Sequence, residues 1–481
     1  MILIQEGYEC EFEMNIFINI FFEKSEEGRI FQKFSHENDK IRVYTRIDFQ
    51  DEVYEADYSC DFSNDVTDKK TIKKMYCCAC TKSFCVCAKK IRNISLPWGV
   101  MSGIRPAKSV RKFREEGHSE QEIRKLLKDI YDVSDEKIDL AVEVSKNEEE
   151  ILKKKGKDAV SIYIGIPFCP SRCLYCSFVS TDIRHSGKYM DRFLEYLLLE
   201  IEKTKEILGS LGLSAENIYI GGGTPTTLSE EQLRVLLQSI NKNLVTGKIN
   251  EFTLEAGRPD TITKGKLLAA KAFGVTRISI NPQTLNNETL EKIGRKHTAE
   301  DFYKSFCEAR EAGFFNINTD LIAGLPGETP EMFYKSVDGV LALSPENVTV
   351  HSMCIKRAAR LNLSGIGLSP EDYIQKMLSY AAKKMKEKDM MPYYMYRQKN
   401  ISGNSENVGY AKEGFMSFYN INIMEEAQTI IALGGGGSSK LVMDGRIVRI
   451  FNFKDPYEYI RRFDEILKKK DEIKEILEGG E

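Results

Sequence analysis

The chain has 481 residues, more than the roughly 100–200 residues of one typical domain, so we expect two or three domains. Its 69 Lys and Arg residues nearly balance its 72 Asp and Glu residues, and a formal net charge of −3 favours neither a nucleic-acid partner nor a membrane-surface partner. The N-terminus lacks a basic segment followed by a long apolar run, and no stretch reaches the ~18 apolar residues of a membrane span, so we expect a cytoplasmic protein.

The first 66 residues predict a small β-sheet. Apolar and polar side chains alternate there in short runs, which is the pattern of half-exposed strands. These runs cover residues 14–22, 40–49 and 52–62.

Helices are predicted to follow this sheet. Residues 68–93 contain neither Gly nor Pro, which favours a helix, and the motif LPWGVMSGIRPAK then introduces turns. Two charged amphipathic helices are predicted at residues 119–130 and 134–155. A Lys-rich segment broken by Gly marks a domain boundary, so residues 1–158 are predicted to form an N-terminal α+β domain.

From residue 161 the pattern changes to short β-rich runs separated by helical stretches, such as residues 191–208 and 230–240. Six β/α units in series predict an α/β fold with a parallel sheet and crossover helices. Because a closed TIM barrel has eight units, residues 159–365 are predicted to form a partial (β/α)6 barrel, with its ligand face at the C-terminal strand ends. The six runs are SIYIGIPF, NIYIGGG, EFTLEAG, RISINPQ, FNINTDLIAG and NVTVHSM.

Residues 366–481 are predicted to form a small C-terminal α+β domain that covers the substrate. The alternation of strands and helices stops near residue 363, and a helix is predicted at residues 370–388. A Gly-rich turn at residues 434–437 precedes the hairpin KLVMDGRIVRIF, whose Asp-Gly pair suits a tight turn. A charged helix ends the chain.

Twelve cysteines are too few and too clustered for a disulfide scaffold in a chain of this length, and indicate metal sites or buried thiols. Cys169, Cys173 and Cys176 have C-x₃-C-x₂-C spacing directly after the first barrel strand. A [4Fe–4S] cluster normally takes four cysteines, so three leave one iron open to an exogenous chelator. We interpret that chelator as the amino and carboxylate groups of S-adenosylmethionine (SAM), whose reductive cleavage would release a 5′-deoxyadenosyl radical.

Two alternatives remain open for this triplet at the level of sequence. The first is a structural zinc site, for which His185 is the only nearby fourth ligand. The second is that the three residues are simply packed loop cysteines.

Polar residues recur where the predicted barrel strands end. The segment GGGTP follows the second strand, and consecutive glycines let a backbone approach the charged end of a bound amino acid closely. Glu255 ends the third strand, Gln283 ends the fourth, and Asp320 lies in the fifth, so we expect these side chains to contact a ligand. Arg295, in the motif KIGRKH, is a candidate to pair with a carboxylate.

A second cysteine cluster lies within the predicted helix at residues 68–93. It could hold an auxiliary iron–sulfur or zinc site, but buried cysteine also behaves as a small apolar residue. Cys77, Cys80, Phe84 and Cys87 recur at helical spacing, which favours a buried face. The cluster comprises Cys77, Cys78, Cys80, Cys85 and Cys87.

Several motifs in order resemble the radical SAM family of oxygen-independent coproporphyrinogen III oxidases. The resemblance covers residues 161–363 and continues into LGGGGSSK in the tail. LPWGVMSGIRPAK, VHSMCIKRAARLN and the long N-terminal extension are most similar to the HemZ branch, named coproporphyrinogen dehydrogenase. The shared motifs are YIGIPFCPSRCLYC, GGGTPT, TLEA, NPQTLN, IGRKH and DLIAGLPGET.

The resemblance implies that Cys169, Cys173 and Cys176 bind the cluster. It also implies contacts to one or two SAM molecules, because some matching positions belong to a second SAM in the family. One position departs from the family pattern Y-x-H-x-P-F-C, since Gly165 replaces the His and leaves the substrate and the proton handling open. The implied SAM-contacting residues are Tyr163, Tyr175, Gly222, Gly223, Thr224, Glu255, Gln283, Arg295 and Asp320.

The implied reaction removes a hydrogen atom from a propionate β-carbon of coproporphyrinogen III, followed by loss of CO₂ and one electron. It occurs twice and produces the vinyl groups of protoporphyrinogen IX in anaerobic haem biosynthesis. A tetrapyrrole with four carboxylates requires cations, for which Lys356, Arg357 and Arg360 are candidates. A flavodoxin- or ferredoxin-type electron donor is expected.

Two other functions are compatible with the motifs. One is a haem chaperone similar to HemW, although those relatives lack the long N-terminal extension. The other is a radical SAM methyltransferase or ring-opening enzyme that acts on haem. Haem binding and SAM-dependent ring opening would separate the alternatives from the oxidase, because one fold and cluster serve many reactions.

Overall fold

The computed structural model describes residues 1–62, 68–176, 180–354, 369–398, 404–443 and 446–479. The chain forms two compact units, Met1–Glu143 with Arg397–Glu406 and Val144–Tyr396 with Asn407–Glu481. The predicted boundary at residue 158 therefore differs from this division. Within the first unit, Lys137 and Glu406 form a buried ion pair, with Lys137 Nζ 2.8 Å from Glu406 Oε1.

The first unit contains a four-stranded sheet in the order β1-β2-β3-β4, with helices around it. Strand β1 runs parallel to β2, whereas β2, β3 and β4 are antiparallel. The elements are β1 (Ile2–Glu6), α1 (Glu11–Phe21), β2 (Arg29–Glu37), β3 (Lys40–Phe49), β4 (Glu52–Asp61), α2 (Lys69–Ala88), α3 (Pro106–Glu115), α4 (Glu120–Tyr131) and α5 (Asp135–Leu152), the last of which continues into the second unit.

The strand predicted at residues 14–22 is wrong, because most of this run belongs to helix α1. Met14, Phe17, Ile18 and Phe21 are buried on one face of α1, at the spacing of an α-helix. The run is apolar at so many positions that it fits both the two-residue period of a strand and the 3.6-residue period of a helix. The predicted strands at residues 40–49 and 52–62 and the predicted helices before residue 155 are confirmed.

The second cysteine cluster lies on α2 and packs into the apolar core of the first unit. Cys77, Cys80, Phe84 and Cys87 are at most 6% exposed, as their helical spacing predicted. Burial raises the pKa of Cys85 to about 12 and that of Cys87 to about 11, so these thiols stay protonated near neutral pH. They therefore contribute apolar packing to this core.

The second unit is built on an eleven-stranded sheet. Six central strands run parallel in the order β12-β11-β10-β9-β8-β5, which confirms the predicted partial barrel. Their elements are β5 (Ala159–Ile166), β6 (Phe168–Cys169), β7 (Thr181–Asp182), α6 (Ile183–Ser186), α7 (Met190–Ser210), β8 (Ser214–Gly222), α8 (Glu230–Leu244), β9 (Glu251–Glu255), α9 (Lys264–Ala272), β10 (Arg277–Ser279), α10 (Asn287–Lys292), α11 (Ala299–Glu311), β11 (Ile317–Ala323), α12 (Pro330–Ala342) and β12 (Asn347–Ser352).

The tail segments Asn407–Glu481 lie in the same compact unit as the barrel and extend its sheet at both edges. Strand β14 pairs antiparallel with β12, and β15 pairs parallel with β5, since the β15 segment IIALG is buried at every position. The tail elements are α13 (Glu371–Lys386), β13 (Met391–Tyr396), β14 (Asn407–Ala411), α14 (Phe418–Glu425), β15 (Ile430–Gly434), β16 (Ser438–Met443), β17 (Arg446–Phe451), α15 (Pro456–Arg461) and α16 (Phe463–Glu478).

The predicted hairpin corresponds to β16 and β17, which pair antiparallel, and its Asp-Gly turn lies outside the described residues. The candidate cations Lys356, Arg357 and Arg360 also lie outside them. Among the described helices, none combines the length and the apolar composition of a membrane span.

A buried ionic network holds the glycine turn, residues 434–437, that follows β15. Glu200 on α7 and Lys470 on α16 are no more than 1% exposed, and Lys470 Nζ lies 3.1 Å from Glu200 Oε1. The other Glu200 oxygen accepts a hydrogen bond of 2.8 Å from the Gly434 amide. Asn452 connects the same parts, because its amide donates to Glu200 and to the Gly434 carbonyl. The turn is thereby fixed beside the end of β5.

Candidate active site

The three cysteines of the triplet lie at the C-terminal end of the first barrel strand, in a loop that we call the cysteine loop, residues 169–176. Cys169 belongs to the short strand β6, which pairs with β7, and the Cys176 amide donates to the Cys173 carbonyl at 3.2 Å. Cys169 and Cys173 are each 8% exposed. The Leu174 amide bonds to the Ile293 carbonyl at 3.0 Å, which ties the loop to the segment that precedes Arg295.

Arg258, which the sequence analysis did not single out, contacts the cysteine loop directly. Its Nη1 donates to the Ser171 carbonyl at 3.1 Å and to Ser171 Oγ at 2.8 Å, and it lies 3.9 Å from Cys173 Sγ. Asp260 accepts from the other side of the guanidinium, through two bonds of 3.0 Å. Arg258 is 3% exposed, so this contact is buried.

Arg295 approaches the same cysteine from a different loop. Its Nη1 donates to the Asn281 carbonyl at 2.6 Å and to the Gly257 carbonyl at 3.3 Å, rather than to a carboxylate of the protein. Although burial opposes it, the neighbouring Tyr175 and Cys173 side chains hold the pKa of Arg295 above its usual value. Its Nε is buried and has no hydrogen-bond partner among the described residues, which suits an additional anionic ligand.

The glycine segment after β8 passes directly against the cysteine loop. A Cβ at Gly223 would lie 2.6 Å from the Phe168 carbonyl oxygen and 2.9 Å from Cys169 Sγ, so only glycine fits there. Gly222 has φ +110°, a conformation that L side chains rarely adopt. The Thr224 amide donates to the Phe168 carbonyl at 2.8 Å, and Thr224 Oγ1 lies 3.5 Å from Cys169 Sγ.

Two acidic side chains stand at the strand ends beyond these glycines. The Tyr219 hydroxyl donates to Glu255, and burial raises the pKa of Glu255 to about 7 despite this hydrogen bond. Asp320 behaves in the opposite way. Although burial opposes it, His351, whose Nε2 lies 3.7 Å away, and Asn318 hold the pKa of Asp320 below its usual value. The site therefore offers one carboxylate and one carboxyl group that titrates near neutrality.

Replacing Glu255 by Gln is expected to raise the thermal stability of the protein at pH about 7.5 and to leave it nearly unchanged at pH about 4.5. The folded pKa lies above the unfolded value of about 4.3, so ionisation of the buried carboxyl destabilises the wild-type fold as pH rises from about 4.3 to about 7. Calorimetry across this range measures the difference, with the exposed Glu231 changed to Gln as the matched control. A constant difference at all pH values would contradict the raised pKa.

Gln283 connects the fourth and fifth strands through its backbone. It has φ 71°, unusual for a residue other than glycine, its amide donates to the Asp320 carbonyl at 2.9 Å, and its own carbonyl accepts from Ile322. Tyr163 on β5 instead stacks in a row of tyrosines, with its ring 6.2 Å from Tyr219 and 6.2 Å from Tyr419 of α14. The tail thus supplies an aromatic side chain that contacts a predicted SAM residue.

The structure explains why Gly165 stands where the family has a His. A Cβ at this position would lie 2.6 Å from the Gly435 carbonyl oxygen, and the Gly435 amide donates to the Gly165 carbonyl at 2.9 Å. The glycine turn therefore occupies the space that a side chain at position 165 would need. A larger residue fits only if the backbone of this turn moves.

Changing Gly165 to Ala is accordingly expected to destabilise the fold by about 1–3 kcal/mol, the usual cost of overpacking a site bounded by backbone. Urea-induced unfolding measures it. Gly209, in helix α7, is the control, because a Cβ there meets nothing within 4 Å and Ala suits a helix better than Gly. Equal or greater stability of the Gly165 variant would show that the turn is not closely packed against β5.

The polar groups around the cysteine loop fit a negatively charged iron–sulfur cluster that is open at one iron. Two guanidiniums lie beside Cys173, and Gly223 keeps the space over Cys169 free of side chains. In the described parts of the chain, no three His, Cys, Asp or Glu side chains converge into a metal-binding group, so the assignment of the ligands remains a prediction. His185, the fourth ligand in the zinc alternative, is exposed on α6.

Four residues of this site were not predicted from the sequence: Arg258, Tyr219, His351 and Tyr419. A signal existed for Arg258, since it closely follows Glu255 at the end of a barrel strand. Tyr219 alternates with buried residues in β8, so its direction could also have been anticipated. Tyr419 reaches the site from the tail, and no local pattern predicts such a distant contact.

A parallel barrel with a three-cysteine loop at the end of its first strand defines a radical SAM protein, a class that carries a [4Fe–4S] cluster and SAM. The Radical SAM superfamily model matches residues 163–339. The oxygen-independent coproporphyrinogen-III oxidase-like protein HemZ of Bacillus subtilis is 40% identical over 416 residues, which cover 85% of this chain and 83% of that protein. The chain belongs to the family of oxygen-independent coproporphyrinogen-III oxidase-like proteins of the HemZ type.

Heme chaperones are also similar to this chain. Heme chaperone HemW of Bacillus subtilis is 36% identical over 273 residues, which cover 56% of this chain and 68% of that protein. HemW of Lactococcus lactis is 33% identical over 335 residues, covering 66% and 80%. Among solved structures, coproporphyrinogen III oxidase HemN from Escherichia coli superposes with a TM-score of 0.52 at 21% identity, covering 67% of this chain and 72% of that one, which shows a shared fold.

Proposed function

We propose that this chain is a radical SAM oxidoreductase that converts propionate side chains of coproporphyrinogen III into vinyl groups. The observation that carries this proposal is the extent of the similarity to the oxidase-like HemZ protein, which covers 85% of the chain. The matches to the two HemW chaperones are shorter, at 56% and 66% of the chain. The additional matched length therefore favours the oxidase-like branch.

In this proposal Cys169, Cys173 and Cys176 hold a [4Fe–4S] cluster. When bound, the cluster and SAM supply a 5′-deoxyadenosyl radical that can remove a hydrogen atom from the substrate. Gly222, Gly223 and Thr224, which lie against the cysteine loop, would bind the amino-acid end of SAM.

The remaining predicted contacts would surround SAM on the other strand ends. Glu255 and Asp320 would offer carboxyl groups to the cationic and hydroxyl groups of SAM, and Arg295 has a buried nitrogen available to an anion. Tyr163, Tyr175 and Gln283 complete the set, whether it binds one SAM or two. The Glu255 carboxyl group, whose pKa lies near neutrality, would ionise most readily beside a positively charged ligand.

The substrate in this proposal is a tetrapyrrole whose carboxylates require cationic partners, for which Lys356, Arg357 and Arg360 are the candidates. Each conversion removes one hydrogen atom from the propionate, releases CO₂ and passes one electron to an acceptor, so a one-electron acceptor must accompany the reaction. A flavodoxin- or ferredoxin-type protein would supply the electron for SAM cleavage.

A second candidate, a haem chaperone, is favoured by the 33–36% identity to the HemW proteins. One anaerobic experiment separates the two. The reconstituted chain is incubated with SAM, a reductant, an electron acceptor and coproporphyrinogen III, and 5′-deoxyadenosine and tetrapyrrole masses are followed together. The oxidase proposal predicts loss of two CO₂ units coupled to SAM cleavage. If the tetrapyrrole is unchanged and the chain binds added haem stoichiometrically, the result would contradict the oxidase proposal and support the haem chaperone.

A further inference from the structure

The guanidinium of Arg258 is placed to act on the cysteine loop in two ways. It donates to both oxygens of Ser171, which fixes the middle of the loop, and the same Nη1 lies 3.9 Å from Cys173 Sγ. With 3% of its surface exposed, Arg258 is poorly screened by solvent. A cation in this position interacts strongly with any charge carried by the sulfur.

We infer that Arg258 is a positioning residue that raises the reduction potential of the cluster, an inference that rests on the cluster assigned in the proposed function. Reduction adds a negative charge to an already anionic cluster, so a nearby cation and an N–H directed at a ligand sulfur stabilise the reduced state. The structure supplies both through one guanidinium. No other side chain donates to Ser171 within the described residues.

Asp260 allows the direction of this effect to be tested. It forms two bonds of 3.0 Å with Arg258 and therefore offsets part of the guanidinium charge. If Arg258 acts by its charge, neutralising Asp260 must shift the potential in the opposite direction to neutralising Arg258. If Arg258 serves only to hold the loop in place, both changes loosen the same contact and shift the potential in the same direction.

The experiment is an anaerobic redox titration of the reconstituted full chain, in which electron paramagnetic resonance measures the reduced cluster. At the wild-type midpoint potential, Arg258→Gln is expected to lower the ratio of reduced to oxidised cluster about tenfold, equivalent to ~59 mV for a one-electron couple. Asp260→Asn is expected to raise that ratio. Arg234→Gln, which changes an exposed arginine on α8, is the matched control and should leave the ratio unchanged.

Three results would overturn the inference: a midpoint for Arg258→Gln equal to that of the Arg234 control, an unchanged midpoint for Asp260→Asn, or shifts of equal sign in both. If Arg258→Gln does not retain the cluster, Arg258→Lys replaces it, with a smaller shift in the same expected direction. A wild-type chain that assembles no cluster would instead overturn the proposed function, and this inference with it.

Discussion

Replacing Cys173 by Ala is expected to abolish assembly of the iron–sulfur cluster and reduce SAM cleavage to background. The proposed site offers three thiolate ligands, so the loss of one leaves two protein ligands for four irons. Cys173 also interacts with two buried guanidiniums, those of Arg258 and Arg295. Iron and sulfide analysis after reconstitution, together with chromatography of 5′-deoxyadenosine, measures the effect.

Two other cysteines make matched controls for this variant. Cys307→Ser changes an exposed thiol, and Cys85→Ala changes a buried thiol on α2. Both are expected to retain the wild-type iron content, because the cysteines of α2 act as packing residues in the first unit. Loss of iron in the Cys85 variant, with retention of iron in the Cys173 variant, would show that the cluster binds to the cysteines of α2. That result would contradict the assignment to Cys169, Cys173 and Cys176.

Changing Lys470 to Met is expected to destabilise the fold by about 3–5 kcal/mol, the usual cost of leaving one partner of a buried ion pair uncompensated. The carboxylate of Glu200 would stay buried with three uncharged donors, Gly434, Asn452 and Tyr459. Urea-induced unfolding measures the change in free energy. Lys154→Met removes an exposed i,i+4 partner of Glu150 and should cost less than about 1 kcal/mol.

This network also connects stability to the site, because it holds the glycine turn that packs against Gly165 and Pro167 just before Cys169. The Lys470 variant should therefore assemble its cluster less completely than the Lys154 variant at the same temperature. Equal stability of the two variants would show that the Glu200–Lys470 pair is dispensable.

The barrel could be predicted from the sequence because its information is local. Each barrel strand is a short apolar run, and several of the helices between the strands have their own start signal, as when Ser229 caps α8. Parallel strands end at one edge of the sheet, so residues as far apart as Glu255 and Asp320 could be assigned to one ligand face in advance.

The tail could not be predicted in this way, since its position depends on pairing partners far along the chain. Strand β15 is five residues long and pairs with β5 more than 260 residues earlier, whereas the segment around it suggested only a turn. Tyr419 is also far along the chain from Tyr163, so no local sequence pattern predicts their contact. The reason for Gly165 likewise became visible only when Gly435 was placed beside it.

Electron paramagnetic resonance of the reduced, reconstituted chain, recorded with and without SAM, tests directly whether Cys169, Cys173 and Cys176 hold the proposed cluster. A [4Fe–4S] cluster held by three cysteines has one open iron, so we expect about four irons per chain and a reduced signal whose g values shift when SAM is added. A signal that SAM leaves unchanged, or a site that takes up zinc in place of iron, would show that these cysteines do not form a SAM-binding cluster.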